Sequence, residues 1–178
     1  MRKTSKMDLN FTPIKTQEID LVLRLLKSAA ARIAKMNIDH WHYWANPPLE
    51  KIRWVEKGLA QNEFYAIKNA EKIRVGMVRI ATEDLLYWGP QADRAYYIHS
   101  LVVEDPFVGQ AMGKRILQQI EKNASLAGCS YLRLDADAKN QKLCHYYEAQ
   151  GFTPVAIKHL AHTQYQLYQK QLNKSAVL

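Results

Sequence analysis

The stretch LVVEDPFVGQAMGKRIL, Leu101–Leu117, decides how the rest of the chain is read. It opens on aliphatic residues that suit the end of a strand, breaks at Pro106 and Gly109, and resumes with helix-forming residues. A strand, a short turn and a helix follow in order, with small residues where the helix begins. The first N–H groups of a helix lack an internal partner, and the helix dipole adds partial positive charge there. Such an end holds phosphate. Gly109, Ala111 and Gly113 leave room for a pyrophosphate to approach the backbone, and Lys114 and Arg115 add charge beside it. The same pattern also arises from tight packing alone, so the segment by itself leaves both readings open.

Outward from this unit the pattern is that of a mixed α+β domain. Upstream, AYYIHSLVV over Ala95–Val103 is nearly all β-branched or aromatic and predicts a strand. Before it, Glu83–Arg94 reads as a loop, Lys72–Thr82 and Glu63–Lys68 as two strands, and the residues after Pro47 and Pro48 as a helix running to Lys57 with Gly58 near its end. Leu21, Leu25, Ala29 and Ile33 put a helix over Gln17–Met36, and Asp8–Ile14 suits a short first strand. Downstream, Met112, Ile116, Ile120, Ala124 and Ala127 line one face of a helix over Gln110–Ala127 that Gly128 ends. Tyr131–Ala136 is a strand, Asn140 caps a short helix to Gln150, and Val155–Leu160 and Tyr165–Lys170 close the chain as strands. The element order is β, α, α, β, β, β, α, β, α, β, β, which fits a mixed sheet with helices on both faces rather than a doubly wound fold.

The 178 residues suit one domain, expected over residues 7–172, with a flexible lead-in over 1–6 and a loose tail over 173–178. Hydrophobic residues make up 48% and charged residues 24%, a globular balance. The net charge of +8 favours acidic partners, among them a phosphorylated cofactor. The basic residues are scattered with no run of five, which argues against a nucleic-acid partner. No apolar run approaches the length of a membrane span, and no signal peptide follows the basic start, so no membrane partner is expected. Cys129 and Cys144 form neither a CxxC pair nor a zinc spacing with histidine. They read as reduced thiols of a cytoplasmic protein, and no metal is expected.

Two motifs in order give the chain a family resemblance. Val108–Gly113 resembles the acetyl-CoA motif of the GNAT superfamily of N-acetyltransferases, written Q/R-x-x-G-x-G/A, with Gly113 as the final glycine. Val108 stands where the pattern has Arg or Gln, and Ala111 where it has its first glycine. The second half, LRLDADAKNQKLCHYYEAQGF over Leu132–Phe152, is similar to the family's strand, Asn and helix ending in Tyr-Glu and Gly-Phe, with Asn140, Tyr147, Glu148, Gly151 and Phe152 at the expected spacing. The resemblance implies a three-layer fold with a mostly antiparallel mixed sheet, in which two central parallel strands, Ala95–Val103 and Tyr131–Ala136, splay apart.

It also implies a reaction: direct transfer of an acetyl group from acetyl-CoA to a primary amine of a small molecule, amino acid or peptide. The second reading is a CoA-binding sensor or scaffold that has lost catalysis, motivated by Val108 and Ala111. By matching position, acetyl-CoA would be held by the strand backbone of Leu101, Val102 and Val103, by the turn and helix start at Val108, Gly109, Gln110, Ala111, Met112, Gly113 and Lys114, and by Asn140 and Tyr147. His99 is the expected base that deprotonates the amine, with Asp135 and Glu104 as further candidates. Tyr147 is the expected partner of the leaving sulfur. Strict alternation would put Tyr97, His99 and Leu101 on one face, and a bulge would shift that register.

The acceptor side is expected from the early helices and the loop before the splayed strand. Trp41, Trp44, Trp88 and Tyr97 are the expected substrate contacts, with Tyr43 and Tyr87 beside them. Asp39, Glu83, Asp84 and Asp93 are the acids that could meet a cationic amine. Each aromatic could equally fill the seam between helices and sheet. The resemblance further implies a homodimer, with the late strands at its interface.

Overall fold

The computed structural model describes residues 9–173. The expected lead-in over residues 1–6, Asp8 of the first strand and residues 174–178 of the expected tail lie outside the described residues. Among the described residues, seven strands and four α-helices follow the predicted order. They are β1 (Asn10–Pro13), α1 (Ile19–Lys35), α2 (Leu49–Ala60), β2 (Phe64–Lys68), β3 (Arg74–Ala81), β4 (Ala95–Val103), α3 (Met112–Leu126), β5 (Tyr131–Asp137), α4 (Gln141–Ala149), β6 (Thr153–Leu160) and β7 (Thr163–Gln171). The strands form a seven-stranded sheet in the order β1-β2-β3-β4-β5-β7-β6. β4 and β5 run parallel, whereas β1–β2, β2–β3, β5–β7 and β6–β7 are antiparallel. The mixed, mostly antiparallel α+β fold expected from the element order is the one found. Among the described residues, no helix is long and apolar enough to cross a membrane.

Several boundaries differ from the sequence reading by a few residues, and three of them are instructive. The first helix is preceded by a 3₁₀ turn over Thr16–Glu18 and starts at Ile19. Gly58 lies inside α2 rather than at its end. A methyl at that position would stand 2.6 Å from the Phe64 ring and 2.9 Å from the Arg79 guanidinium, so the glycine permits close packing and ends nothing. The third helix begins at Met112 rather than Gln110, because Gly109 and Ala111 take positive φ of 79° and 54°.

The chain divides into two compact units, residues 1–79 with 100–119, and residues 80–99 with 120–178. In the first, α1 and α2 bury Val22, Leu25, Leu26, Ala29, Val55 and Leu59 with Trp44, Phe64, Met77 and Val102. The 17 residues of α1 carry an apolar stripe at helical spacing, and burial of that stripe stabilises the helix. Arg79, 6% exposed, is a buried charge with every need met. It reaches Glu63 at 2.7 Å, donates to the Trp54 carbonyl at 3.1 Å and lies 4.1 Å over the Trp54 ring. Gly76 lies under the Val102 carbonyl, where any Cβ would collide with that oxygen.

In the second unit, the parallel ladder joins Ala95 to Tyr131, Tyr96 to Leu132 and Tyr97 to Arg133. From Tyr131 to Asp137, β5 pairs along its whole length with β7. Arg133, 2% exposed, is boxed by aromatic rings, with its guanidinium 5.0 Å from both the Trp88 and Tyr131 centroids. It donates to Tyr97 Oη at 2.8 Å and to Gln169 Oε1 at 2.9 Å. Asn140 caps α4 by accepting from the Leu143 N–H at 3.1 Å, and Gly151 ends that segment at φ 89°.

Candidate active site

Three titratable side chains meet in the second unit. β4 carries His99, β5 carries Asp135, and the loop before β4 carries Asp84. His99 Nε2 lies 3.1 Å from Asp84 Oδ2, and His99 Nδ1 lies 3.7 Å from Asp135 Oδ1. The side chains are 17%, 7% and 12% exposed for His99, Asp84 and Asp135. Neither oxygen that faces the ring accepts a hydrogen bond in this geometry. Both carboxylates thus lie at ion-pair distance from the imidazole without hydrogen-bond alignment.

Each member of the trio has a local reason for its place. Asp84 Oδ1 accepts the Tyr87 N–H at 3.1 Å and its carbonyl accepts the Trp88 N–H at 2.9 Å, so the residue closes a turn and leaves Oδ2 to face inward. Tyr87 then stacks 6.2 Å from His99 and edge-on to Tyr165 at 5.1 Å. Asp135 sits past the last β4–β5 pair, on the stretch of β5 whose ladder runs to Leu167 of β7. Burial pushes its carboxyl up from 3.8 to about 6, with His99 pulling it down and Asp84 pushing it further up. The Asp135 carboxyl is therefore the group here whose charge changes well above the ordinary carboxylate range.

The three residues also offer donor atoms within 4.8 Å of one another, close enough to be compared with a metal site. A metal takes a single imidazole lone pair. Here the two carboxylates face different ring nitrogens, which suits proton sharing instead.

Tyr147 lies on α4 in the same unit, half-buried among rings. Its centroid is 5.5 Å from Tyr146, 5.9 Å from Phe152 and 6.2 Å from Tyr168. Desolvation lifts its hydroxyl well above the ordinary tyrosine range, and the neighbouring Tyr146 and Asp135 add to the effect. The hydroxyl stays protonated across neutral pH. Trp88 and Tyr97 have positions that structure alone accounts for. Trp88 packs edge-on to Tyr97 at 6.1 Å, and Tyr97, 2% exposed, spends its hydroxyl on Arg133.

The first unit carries the turn that the sequence singled out. Val103 ends β4, its carbonyl accepting from Arg32 Nη2 at 3.1 Å, while Arg32 also pairs with Asp105. Arg74 grips Glu104 at 2.7 Å. These ion pairs fix the entry to the turn, and Glu104 is committed to Arg74 there. Val108, Gly109, Gln110 and Ala111 are exposed, a Cβ added at Gly109 meets nothing within 4 Å, and α3 follows at once. Gln110 braces the turn by donating to the Pro106 carbonyl at 2.8 Å. Lys114 is exposed, Gly113 half-buried and Met112 buried. Leu101 is half-buried, and Val102 faces the core. Ser100 takes φ 50°, which breaks the two-residue alternation expected to put Tyr97, His99 and Leu101 on one face. Trp44, 3% exposed, is a core residue, and Trp41 packs against that core from a left-handed position. Trp41 and Trp44 belong to the first unit, and Trp88 and Tyr97 to the second.

The sequence reading named Asp84 only as one of four acids and Asp135 only as a further base candidate. The juxtaposition of both with His99 was not foreseen, since it depends on contacts distant in sequence. The adjacency of an acid to a Tyr-Trp turn, DLLYW over Asp84–Trp88, was the local signal available.

A family model described as the acetyltransferase (GNAT) family matches residues 32–152, more than half of the chain. An uncharacterized N-acetyltransferase YesJ of Bacillus subtilis (strain 168) is 31% identical over 101 residues, or 55% of this chain and 54% of the relative. The match thus spans about half the length of that curated relative. Among solved structures, an acetyltransferase of the GNAT family from Listeria monocytogenes 4b F2365 is similar with a TM-score of 0.75 at 20% identity, over 94% of this chain and 97% of that one. A spermidine N-acetyltransferase from Vibrio cholerae in complex with CoA and spermine is similar with a TM-score of 0.65 at 13% identity, over 93% of this chain and 96% of that one. At these identities the likeness is one of fold.

Proposed function

This chain belongs to the acetyltransferase (GNAT) family, and from that premise we propose that it transfers an acetyl group from acetyl-CoA to a primary amine of a small molecule, amino acid or peptide. The observation that carries the donor half is the turn Val108–Ala111. Exposed residues in left-handed conformation at Gly109 and Ala111 stand immediately before the 15-residue α3, and a turn of this kind at a helix start suits phosphate. The residues present fit the phosphates of acetyl-CoA, and Lys114 adds charge at the helix start. Ala111, where the family motif has glycine, takes φ 54°, a left-handed backbone that glycine adopts most readily.

When bound, acetyl-CoA supplies the thioester whose acetyl carbon the amine attacks. In this reading the backbone of Leu101, Val102 and Val103 would hold the donor, and Val108 to Lys114 would meet its phosphates. His99 takes the proton that the amine loses, and the flanking carboxylates stabilise the imidazolium formed. Tyr147 keeps its proton at neutral pH, so it serves the departing sulfur as a hydrogen-bond donor. Of the four aromatics expected on the acceptor side, Trp44 and Tyr97 are buried, and half-buried Trp41 and Trp88 are the ones left to meet the acceptor. A cytoplasmic location fits Cys129 and Cys144, both buried free thiols. β6, at one end of the strand order with Val155 48% and Ile157 47% exposed, is the surface we assign to a homodimer, and sedimentation equilibrium tests it.

Calorimetric titration with acetyl-CoA, followed by a primary-amine screen read by release of free thiol, tests the reading. Micromolar binding and turnover with one of the amines is the expected result. Absence of binding to the folded protein would end the enzyme reading, and binding without turnover would leave only a CoA-binding domain.

A further inference from the structure

We propose that Arg32 serves the donor by cancelling the charge of Asp105, so that the phosphates of acetyl-CoA meet the turn Val108–Ala111 without an opposing carboxylate at its entry. Arg32 acts through Asp105 and is a positioning residue. The proposal rests on the reading that acetyl-CoA binds at that turn.

The chain places two acids, Glu104 and Asp105, just ahead of the segment read as the phosphate site. Asp105 opens a 3₁₀ turn over Asp105–Phe107, and its carbonyl accepts the Val108 N–H at 3.3 Å. The acid therefore stands one short turn of chain from Val108, inside the roughly 10 Å over which exposed charges act at 0.1 M salt. Gln110, bonded to the Pro106 carbonyl at 2.8 Å, folds the following residues back on the same turn. A ligand that carries several phosphate charges is repelled by a bare carboxylate so placed.

Each acid meets an arginine from a different element of the first unit. Arg74 of β3 puts Nε at 2.9 Å and Nη2 at 2.7 Å from Glu104 Oε1. Arg32 of α1 pairs through Nη1 with Asp105 Oδ1, and its Nη2 donates to the Val103 carbonyl at 3.1 Å. The forked guanidinium holds a carboxylate and a carbonyl at once. Ser28, one helical turn before Arg32 on the same face, donates to Asp105 Oδ2 at 3.4 Å. Both oxygens of Asp105 thus face α1, although the side chain is 64% exposed. An ion pair this exposed adds little stability. Its consequence is electrostatic: the two arginines offset the two acids at the entry, and Lys114 offers a positive charge at the helix start.

The signs of three substitutions separate this role from its alternatives. Arg32→Gln unmasks Asp105 and should weaken acetyl-CoA binding about 5- to 10-fold at low ionic strength. Asp105→Asn leaves the Arg32 charge unopposed and should bind acetyl-CoA about 2- to 5-fold tighter than wild type. The double variant should return to within about 2-fold of wild type, since its entry again carries no net charge. All of these differences should shrink at about 0.5 M salt. Isothermal titration calorimetry of the full chain with acetyl-CoA at two salt concentrations reads them, with circular dichroism to check the fold.

A purely structural latch would make both single variants weaker. Direct contact of Arg32 with a phosphate would leave the double variant as weak as Arg32→Gln. Either pattern overturns the proposal. Wild-type affinity in Arg32→Gln overturns it too and leaves the donor reading standing. Should Arg32→Gln not fold, Asp105→Asn decides alone: tighter binding supports the role, and unchanged or weaker binding ends it. If wild type itself binds no acetyl-CoA, the donor reading falls and the proposal with it.

Discussion

Tyr147 packs 6.2 Å from Tyr168, and the Tyr168 hydroxyl is committed to Glu148 at 2.9 Å. One tyrosine of the pair is therefore held by a carboxylate while the other keeps its hydroxyl among rings. The held ring fixes the other by packing. Tyr147→Phe should leave the fold and the KM for acetyl-CoA nearly unchanged and lower kcat about 10-fold or more. Because desolvation lifts the Tyr147 hydroxyl, wild type should show no loss of rate from its ionisation below about pH 10. Steady-state kinetics across pH checks both statements, and a variant as fast as wild type would remove the role at sulfur.

His99→Gln should cost about 10²-fold or more in kcat/KM at neutral pH if the ring is the base. The wild-type rate should fall on the acid side as Asp135 takes up its proton near pH 6, and the position of that limb should move in the variant, since His99 is among the groups that set it. An unchanged pH–rate profile would rule the assignment out.

Asp135 gives a stability prediction with a definite sign. Its carboxyl is raised from 3.8 to about 6, first by burial. A group raised in the folded state favours folding below its unfolded pKa and loses that contribution as pH rises through its folded one. Stability from this group therefore falls between about pH 4 and pH 6, by up to about 3 kcal/mol for a shift of about two units. Asp135→Asn should match wild type near pH 4, melt at a higher temperature at pH 7 and lose activity. Thermal denaturation at the two pH values decides it; an equal or lower Tm at pH 7 would mean that the ionised carboxylate is better compensated than its burial suggests.

Ala111 adopts φ 54°, a left-handed backbone that costs an L-residue about 1–2 kcal/mol. Glycine avoids that strain and adds freedom to the unfolded chain, which offsets about 0.4–1 kcal/mol. Ala111→Gly should therefore stabilise the protein by roughly 0.5–1 kcal/mol without weakening acetyl-CoA binding. Denaturant titration with calorimetry reads both quantities.

Gly76→Ala should do the reverse. The added methyl meets the Val102 backbone oxygen, which has no flexible end to yield. A loss of about 1–3 kcal/mol is expected, by analogy with overpacked cores. A variant of wild-type stability would mean that β3 can shift away from that carbonyl.

The element order was legible because each helix carries its apolar spacing and its stop signal locally. Asn140 caps and Gly151 ends the α4 segment as their sequence positions predict. Gly58 misled because a glycine that ends a helix and one that lets Phe64 approach look alike in sequence. At the candidate site, His99 and Tyr147 were visible through motif spacing. The approach of Asp84 to His99 was not, since it joins a loop to a strand through tertiary packing. Trp44 and Tyr97 were read as contacts for an acceptor, and nothing local distinguishes such an aromatic from one that fills a core or holds Arg133.

The box around Arg133 has a spectroscopic consequence. The chain's four tryptophans divide unevenly: Trp41, Trp44 and Trp54 belong to the first unit, and Trp88 to the second. Trp88 is also the one that lies against a guanidinium in the second unit, 5.0 Å from its ring. Replacing the other three with Phe would leave a single emitter whose colour and intensity report the second unit alone. Ordinary indole fluorescence of the wild type would be weighted toward the first. The two emissions, followed side by side through denaturation, would read whether the halves of the chain melt together or in sequence.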